Sequence, residues 1–164
     1  QNFCPPPSGR GIAETRLGAE RFNGTIWPGA TAGREAIRFY PAGGTRRKIA
    51  VLNVSGADQI VYADDTLLTL TEITGATALS TSKQWLFSVY EGILYMGNAT
   101  EKVQETSDGL TRTDIGGAVA PPLAYPGPVY RGRLTFFGDA SNRKYLWYTD
   151  VGTESVPLTN YRLV

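Results

Sequence analysis

The chain of 164 residues carries 16 Lys and Arg against 15 Asp and Glu, and 41% of its residues are hydrophobic, which fits one domain with its own core. It has no histidine and a single cysteine, Cys4, so an internal disulfide, histidine-based acid–base catalysis and histidine-ligated metals are excluded. No stretch reaches the roughly 18 consecutive apolar residues of a membrane span, so we expect the chain to have no membrane span.

Residues 1–33 predict an extended N-terminal arm. Pro5, Pro6 and Pro7 favour an extended conformation, and six glycines interrupt the rest of the segment. Residues 11–21 have weak helical character and are expected to form at most one short helix. The first 48 residues hold eight Lys and Arg against three Glu, whereas residues 49–164 hold eight against twelve acids. We expect this basic arm to dock on its own body or on a neighbouring subunit.

From residue 36 the chain alternates apolar and polar residues with the period of a β-strand. Short clusters of Gly, Ser, Asp and Pro separate these runs and predict turns. Residues 34–164 are expected to form a β-repeat domain of three units, at about 34–80, 81–125 and 126–164. The predicted strands are 36–40, 48–54, 59–63 and 66–73, then 84–90, 93–97, 102–106 and 110–115, then 128–130, 133–137, 144–149 and 151–158.

Residues 84–97 give the clearest local signal. Aromatic and β-branched residues alternate along two runs that are joined by Glu91-Gly92, and an X-Gly pair between such runs is typical of a tight hairpin. The same order of features returns 40 residues later, from Tyr90 to Tyr130. The aligned pairs are Tyr90 with Tyr130, Gly92 with Gly132, Gly97 with Gly138, and Asn98 with Asp139.

Four short strands in about 40 residues is the period of a β-propeller blade, and three blades do not close a ring. We therefore predict an all-β fold of antiparallel, four-stranded, blade-like repeats, β-propeller-like with an incomplete ring. Another β-sandwich or barrel is the alternative. The chain starts with Gln and ends inside an apparent strand at 161–164. We expect either a longer parent chain or other subunits at its open edges.

The motifs at 87–98, 107–109, 120–122, 130–134 and 146–149 resemble the propeller proteins of tailed bacteriophage virions, including the tail nozzle of short-tailed phages and related tail or connector proteins. The resemblance covers about residues 34–158, although nozzle proteins are usually far larger. It implies a non-enzymatic structural subunit in the virion, near the tail or portal and assembled in the host cytoplasm. Its implied partners are further copies of itself and other virion proteins.

Trp, Tyr and Arg are enriched at the energetic centres of interfaces, which selects candidates for subunit contacts. The basic run 46–48 favours a solvated turn or a salt-bridged subunit edge, and the alternative is phosphate contact, which would place the protein near DNA. No residue is predicted to be catalytic, to bind a cofactor or to ligate a metal. The candidates are Trp27, Arg46, Arg47, Lys48, Tyr130, Arg131, Trp147 and Tyr148.

The alternative function is a carbohydrate-binding or glycan-cleaving propeller that uses exposed aromatic rings and a carboxylate pair. Several Asp residues stand beside Gly, Ser or Thr, where Asp caps turns through its own side chain. Strand alternation assigns most of the aromatic residues to a core between blades. The segment at Asp139 has too few acids for a calcium loop.

Overall fold

The computed structural model describes residues 27–65, 69–75, 79, 84–115, 123–151 and 160–163, and the backbone of residues 3–4 and 14–15. Within these ranges the chain forms β-strands and no helix, which confirms the predicted all-β class. Three sheets follow one another along the chain, and nearly all of their strand pairs are antiparallel. We name them sheet 1 (residues 30–72), sheet 2 (residues 74–114) and sheet 3 (residues 125–163).

The arm contributes a short strand pair of its own. β1 (Phe3–Cys4) pairs antiparallel with β2 (Glu14–Thr15), so these two residues of the predicted helical segment are extended, and its other residues lie outside the described ranges. Trp27 is half-buried, and its indole Nε1 donates a hydrogen bond to Gln59 Oε1 at 2.9 Å. The end of the arm therefore docks on the body of the same chain.

Sheet 1 is a meander whose four strands are paired in chain order. Its first strand begins at Ala30 rather than at residue 36, because pairing continues past two register shifts. The predicted strand at 66–73 is reduced to two residues, and residues 66–68 lie outside the described part. The strands are β3 (Ala30–Phe39), β4 (Arg47–Val54), β5 (Ala57–Asp64) and β6 (Thr71–Glu72).

Sheet 2 contains the predicted hairpin and two further antiparallel strands. The segment predicted as a connection after residue 73 instead adds a fifth strand, β7 (Thr74–Gly75), which pairs parallel to the last strand of the meander. Gly75 can approach because it has no side chain where the Arg112 side chain lies. The other strands are β8 (Leu86–Tyr90), β9 (Ile93–Gly97), β10 (Gln104–Thr106) and β11 (Thr111–Asp114).

Sheet 3 repeats the four-stranded meander, but its first and last strands are not the ones predicted. The predicted strand at 128–130 is wrong: only an isolated bridge joins Tyr130 to Arg133, and the first strand lies earlier, at Tyr125–Pro126. Pro128 supplies no N–H to the ladder, which prevents regular pairing there. The strands are β12 (Tyr125–Pro126), β13 (Thr135–Phe137), β14 (Tyr145–Tyr148) and β15 (Tyr161–Leu163). Most of the predicted strand at 151–158 lies outside the described residues.

The three sheets pack against one another through two apolar clusters. The first joins sheet 1 to one face of sheet 2, and the second joins the opposite face of sheet 2 to sheet 3. Strand alternation produces this division, because Leu94 and Met96 of β9 point into the first cluster while Tyr95 points into the second. Sheet 2 is therefore buried on both faces, and sheets 1 and 3 are each covered by it on one face.

Backbone conformations support the repeat seen in the sequence. Glu91-Gly92 and Arg131-Gly132 both have two successive positive φ angles, 50° and 80° in the first pair and 51° and 69° in the second. This is the geometry of the tightest hairpin turns, and glycine adopts it without strain. The Tyr90 hydroxyl donates a hydrogen bond to the Gly132 carbonyl oxygen at 2.8 Å, so the first hairpin also contacts the second.

The small polar loops that were aligned in the sequence also fold alike. The Asn98 carbonyl oxygen Oδ1 accepts hydrogen bonds from the backbone N–H groups of Thr100 and Glu101 at 2.9 and 3.0 Å. The carboxylate of Asp139 accepts one from the Ser141 N–H at 2.9 Å. Both side chains hold a turn at the end of the second strand of the hairpin.

Candidate functional site

Arg47, a predicted contact residue, is buried inside the chain. Its guanidinium pairs with Asp64 at 3.1 Å and lies over the Tyr62 ring, 5.7 Å from the centroid. Its Nη1 also donates a hydrogen bond to the backbone carbonyl of Asp108, which lies in the turn between β10 and β11. Arg47 thus joins sheet 1 to sheet 2 within the subunit.

The two other residues of the basic run lie nearer the surface. Arg46 is exposed, and its guanidinium lies over the Tyr40 ring at 5.2 Å. Lys48 Nζ lies 3.7 Å from Asp65 Oδ1, a carboxylate that Arg38 approaches at 3.2 Å. The run therefore divides into one exposed and two internally paired cations, and it does not form a continuous basic patch.

Trp147 lies between sheets 2 and 3 and is only 6% exposed. Its ring packs on Tyr145 at 5.6 Å and on Tyr161 at 5.4 Å, and those two rings stack on each other at 4.1 Å. The Tyr161 hydrogen bond raises the pKa of Tyr145. Because Trp147 is buried, it offers no free ring face to a sugar, and the glycan alternative would have to use exposed tyrosines.

The remaining candidates come together on the open face of sheet 3. Tyr148 points away from sheet 2, since it alternates with Trp147 along β14, and Tyr130 and Arg131 come from the hairpin turn. They form one side of a groove of about 360 Å³, which we call the basic groove. It is lined by Tyr130, Arg131, Arg133, Thr135, Leu146, Tyr148 and Arg162.

Cation–π contacts position two of the arginines in the basic groove. The Arg131 guanidinium lies 5.3 Å from the centre of the Tyr130 ring, and that of Arg133 lies 5.4 Å from the Tyr148 ring. Arg133 Nη1 also donates a hydrogen bond to the Thr149 carbonyl at 2.8 Å. A guanidinium that rests on a ring keeps its N–H edge free for an anion.

The sequence predicted only part of this groove. Arg133 directly follows the Arg131-Gly132 pair, and a two-residue turn there sets Arg133 opposite Tyr130, so the Arg-Gly pair was the available sequence signal for it. Arg162 enters the groove because β15 pairs with β14, which sets Arg162 opposite Leu146. Such a pairing across the chain cannot be predicted from local alternation.

A second groove, which we call the apolar groove, lies on sheet 1 and has a volume of about 470 Å³. Its floor consists of small and aliphatic side chains of β3 and β4, with Arg38 and Lys48 among them. It is lined by Ala36, Ile37, Arg38, Lys48, Ile49, Ala50, Leu52 and Leu70. The surface is apolar enough to gain free energy from being covered by a partner.

The predicted role of aspartates in turns is illustrated by Asp108. Burial on its own would raise the pKa of this carboxyl, but hydrogen bonds from the backbone N–H groups of Leu110 and Thr111 and from the Thr106 hydroxyl together lower it below its ordinary value. The side chain therefore stabilises the β10–β11 turn in its ionised form. Among the described residues, no group of three or more His, Cys, Asp and Glu side chains is placed to hold a metal ion.

The part of the chain that the structure describes has no helix of the length and apolarity needed to cross a membrane. Comparisons with family models, with curated proteins and with solved structures found no match.

Proposed function

We propose that the three sheets are blades of a β-propeller-like arrangement with an incomplete ring. Each sheet contains a four-stranded antiparallel meander, and consecutive sheets pack face to face. β8, the first strand of the sheet 2 meander, contacts both β3 and β12, the first strands of the neighbouring sheets. This side-by-side placement of first strands supports a shared axis, as in a propeller.

We further propose that the protein is a non-enzymatic structural subunit of a bacteriophage virion, near the tail or portal. The placement in a virion rests on the resemblance of the blade motifs. The structural role is supported by one observation: sheet 2 is buried on both faces, whereas the outer sheets are covered by it on one face only. A subunit of this kind gains stability when further copies or other virion proteins cover the open face of sheet 1.

The apolar groove is the surface that we assign to contacts between copies. Leu52 lies in it and is half-buried, and Ala50 and Leu70 line the same groove. Burial of aliphatic surface contributes roughly 25 cal/mol for each Å² removed from water, and this term drives most protein association.

Light scattering coupled to size-exclusion chromatography tests this proposal on the full chain after nuclease treatment. We expect a mass that is a multiple of the chain mass, and we expect Leu52→Glu to shift it towards the monomer because a carboxylate would be buried at the contact. Thr113→Glu, at an exposed position of β11, is the control and is expected to leave the mass unchanged.

Urea unfolding of Leu52→Glu separates loss of assembly from loss of fold. A wild-type chain that is monomeric at every concentration would contradict the proposal. So would a Leu52→Glu variant that keeps the wild-type mass while remaining folded.

A further inference from the structure

The basic groove lies in a part of the chain that carries a net positive charge. Residues 123–164 hold five Lys and Arg against three Asp and Glu, a net charge of +2, whereas residues 69–115 hold three against six, a net charge of −3. Three of the five cations, Arg131, Arg133 and Arg162, line this one groove. A concave surface with one sign of charge raises the local concentration of oppositely charged ligands.

The guanidinium groups of the basic groove are not neutralised by close, buried carboxylates, so they can bind an anion. Among the described residues, neither Arg131 nor Arg162 has a carboxylate within 4 Å, and Asp150 approaches Arg133 only at 3.7 Å while remaining exposed. Arg133 is already fixed by Tyr148 and by the Thr149 carbonyl, so little conformational entropy is lost when it engages a ligand. Planar guanidinium groups match the two-oxygen edge of a phosphate.

The two tyrosines of the basic groove offer aromatic rings on which a base can stack. Tyr130 is 63% exposed, and Tyr148 is half-buried on the open face of the sheet. Aromatic rings beside cations on an open sheet are a common surface for unpaired nucleic-acid bases, because any base can stack on a ring while its phosphate meets an arginine.

We propose that the basic groove binds a segment of single-stranded nucleic acid, with phosphates on the arginines and a base against a tyrosine. The groove volume of about 360 Å³ is at the lower end of the range for small-ligand pockets, which suits a nucleotide unit. An acidic protein segment would use the same cations without needing the exposed rings. This inference is independent of the proposed structural role and of the 46–48 run, whose Arg47 is buried.

Fluorescence anisotropy with a labelled oligothymidylate of about 12 nucleotides, titrated with the full chain over a salt series, tests the proposal. We expect tighter binding than to a duplex of the same length and an affinity whose logarithm falls linearly with the logarithm of salt concentration. Arg162→Ala is expected to weaken binding about tenfold and to reduce the salt slope by about 0.7. Arg131→Asn should do the same, and asparagine suits the φ of 51° at this position.

Arg143→Ala is the matched control, because it removes one positive charge from the same sheet at an exposed loop position outside the groove. It is expected to change affinity less than twofold. Tyr148→Leu should weaken single-strand binding about tenfold while leaving the salt slope unchanged, since stacking carries no charge.

Three results would overturn the proposal. The first is an absence of oligonucleotide binding at low salt. The second is equal loss of affinity in Arg143→Ala and Arg162→Ala, which indicates diffuse charge attraction. The third is competition by a polyglutamate peptide as effective as competition by unlabelled oligonucleotide, which identifies an acidic protein as the partner. The molecular mass that tests subunit assembly is measured without nucleic acid, so failure of oligonucleotide binding and failure of assembly are distinguished.

Discussion

Replacement of Trp85 by Ala is expected to lower the free energy of unfolding by about 4 kcal/mol or more. Trp85 is fully buried, and its ring fills the cluster between sheets 1 and 2. Its indole Nε1 donates a hydrogen bond to the buried carboxylate of Asp58 at 2.9 Å. The substitution therefore opens a cavity and also removes a partner from a buried anion, and these two costs add.

The neighbours of Asp58 explain why the loss is not easily repaired. Asn53 Nδ2 donates to Asp58 Oδ1 at 3.0 Å, and Arg34 approaches the same oxygen at 3.6 Å. Trp85 supplies the contact to the other oxygen, Oδ2. Without the indole, Asn53 and Arg34 still hold Oδ1, but Oδ2 loses its Trp85 donor at a cost of about 1–3 kcal/mol.

Urea unfolding followed by far-ultraviolet circular dichroism measures this effect. Trp27→Ala is the matched control, because Trp27 also donates an indole hydrogen bond but is only half-buried, and we expect it to cost about 1–2 kcal/mol. Natural domains have roughly 5–15 kcal/mol of stability, so Trp85→Phe provides a measurable intermediate if the Ala variant does not fold. Equal losses for Trp85→Ala and Trp27→Ala would show that Trp85 does not lie in the inter-sheet core.

Gly97→Val is expected to lower the free energy of unfolding by about 3 kcal/mol, through the interface of sheets 2 and 3. A Cβ atom at Gly97 would lie 2.6 Å from the Ala124 carbonyl oxygen and 2.9 Å from Pro126 Cδ. Both of these atoms belong to the segment of β12, and a backbone carbonyl cannot rotate away as a flexible side chain can. The valine would have to push the two sheets apart.

Gly33→Val is the control for this substitution. Gly33 lies in β3 of sheet 1, and a Cβ atom there would meet no atom within 4 Å. Because β-branched residues favour strands, we expect a change within about 0.5 kcal/mol. Comparable losses at the two positions, measured by urea unfolding, would indicate that sheets 2 and 3 are not in contact at Gly97.

The sequence predicted the parts of the fold that depend on local periodicity. The hairpin at 84–97 was predictable because aromatic and aliphatic residues alternate on both sides of Glu91-Gly92, and the turn adopts the expected conformation. The loops at Asn98 and Asp139 were aligned by their residue types and have equivalent hydrogen bonds. Local composition was sufficient in these cases because the interactions themselves are local.

Other parts depend on contacts between distant segments, and local patterns do not encode them. β7 is a pair of residues whose parallel partner lies more than 30 positions further along the chain. β12 lies before the predicted strand at 128–130, and its position is set by pairing with β13 across the intervening turn. In the basic groove, the tyrosines and Arg131 were selected from composition, whereas Arg162 required the pairing of β14 with β15.

The stacked arrangement of the three sheets requires that sheet 2 be buried on both faces, and amide hydrogen exchange measures this directly. The N–H groups of β9 (Ile93–Gly97) that pair in the middle of sheet 2 are expected to exchange only through global unfolding, at a free energy equal to that from urea denaturation. Those of β6 (Thr71–Glu72), at the edge of sheet 1, should exchange much faster through local opening. Exchange of β9 at the rate of β6 would contradict the stacked arrangement of the three sheets.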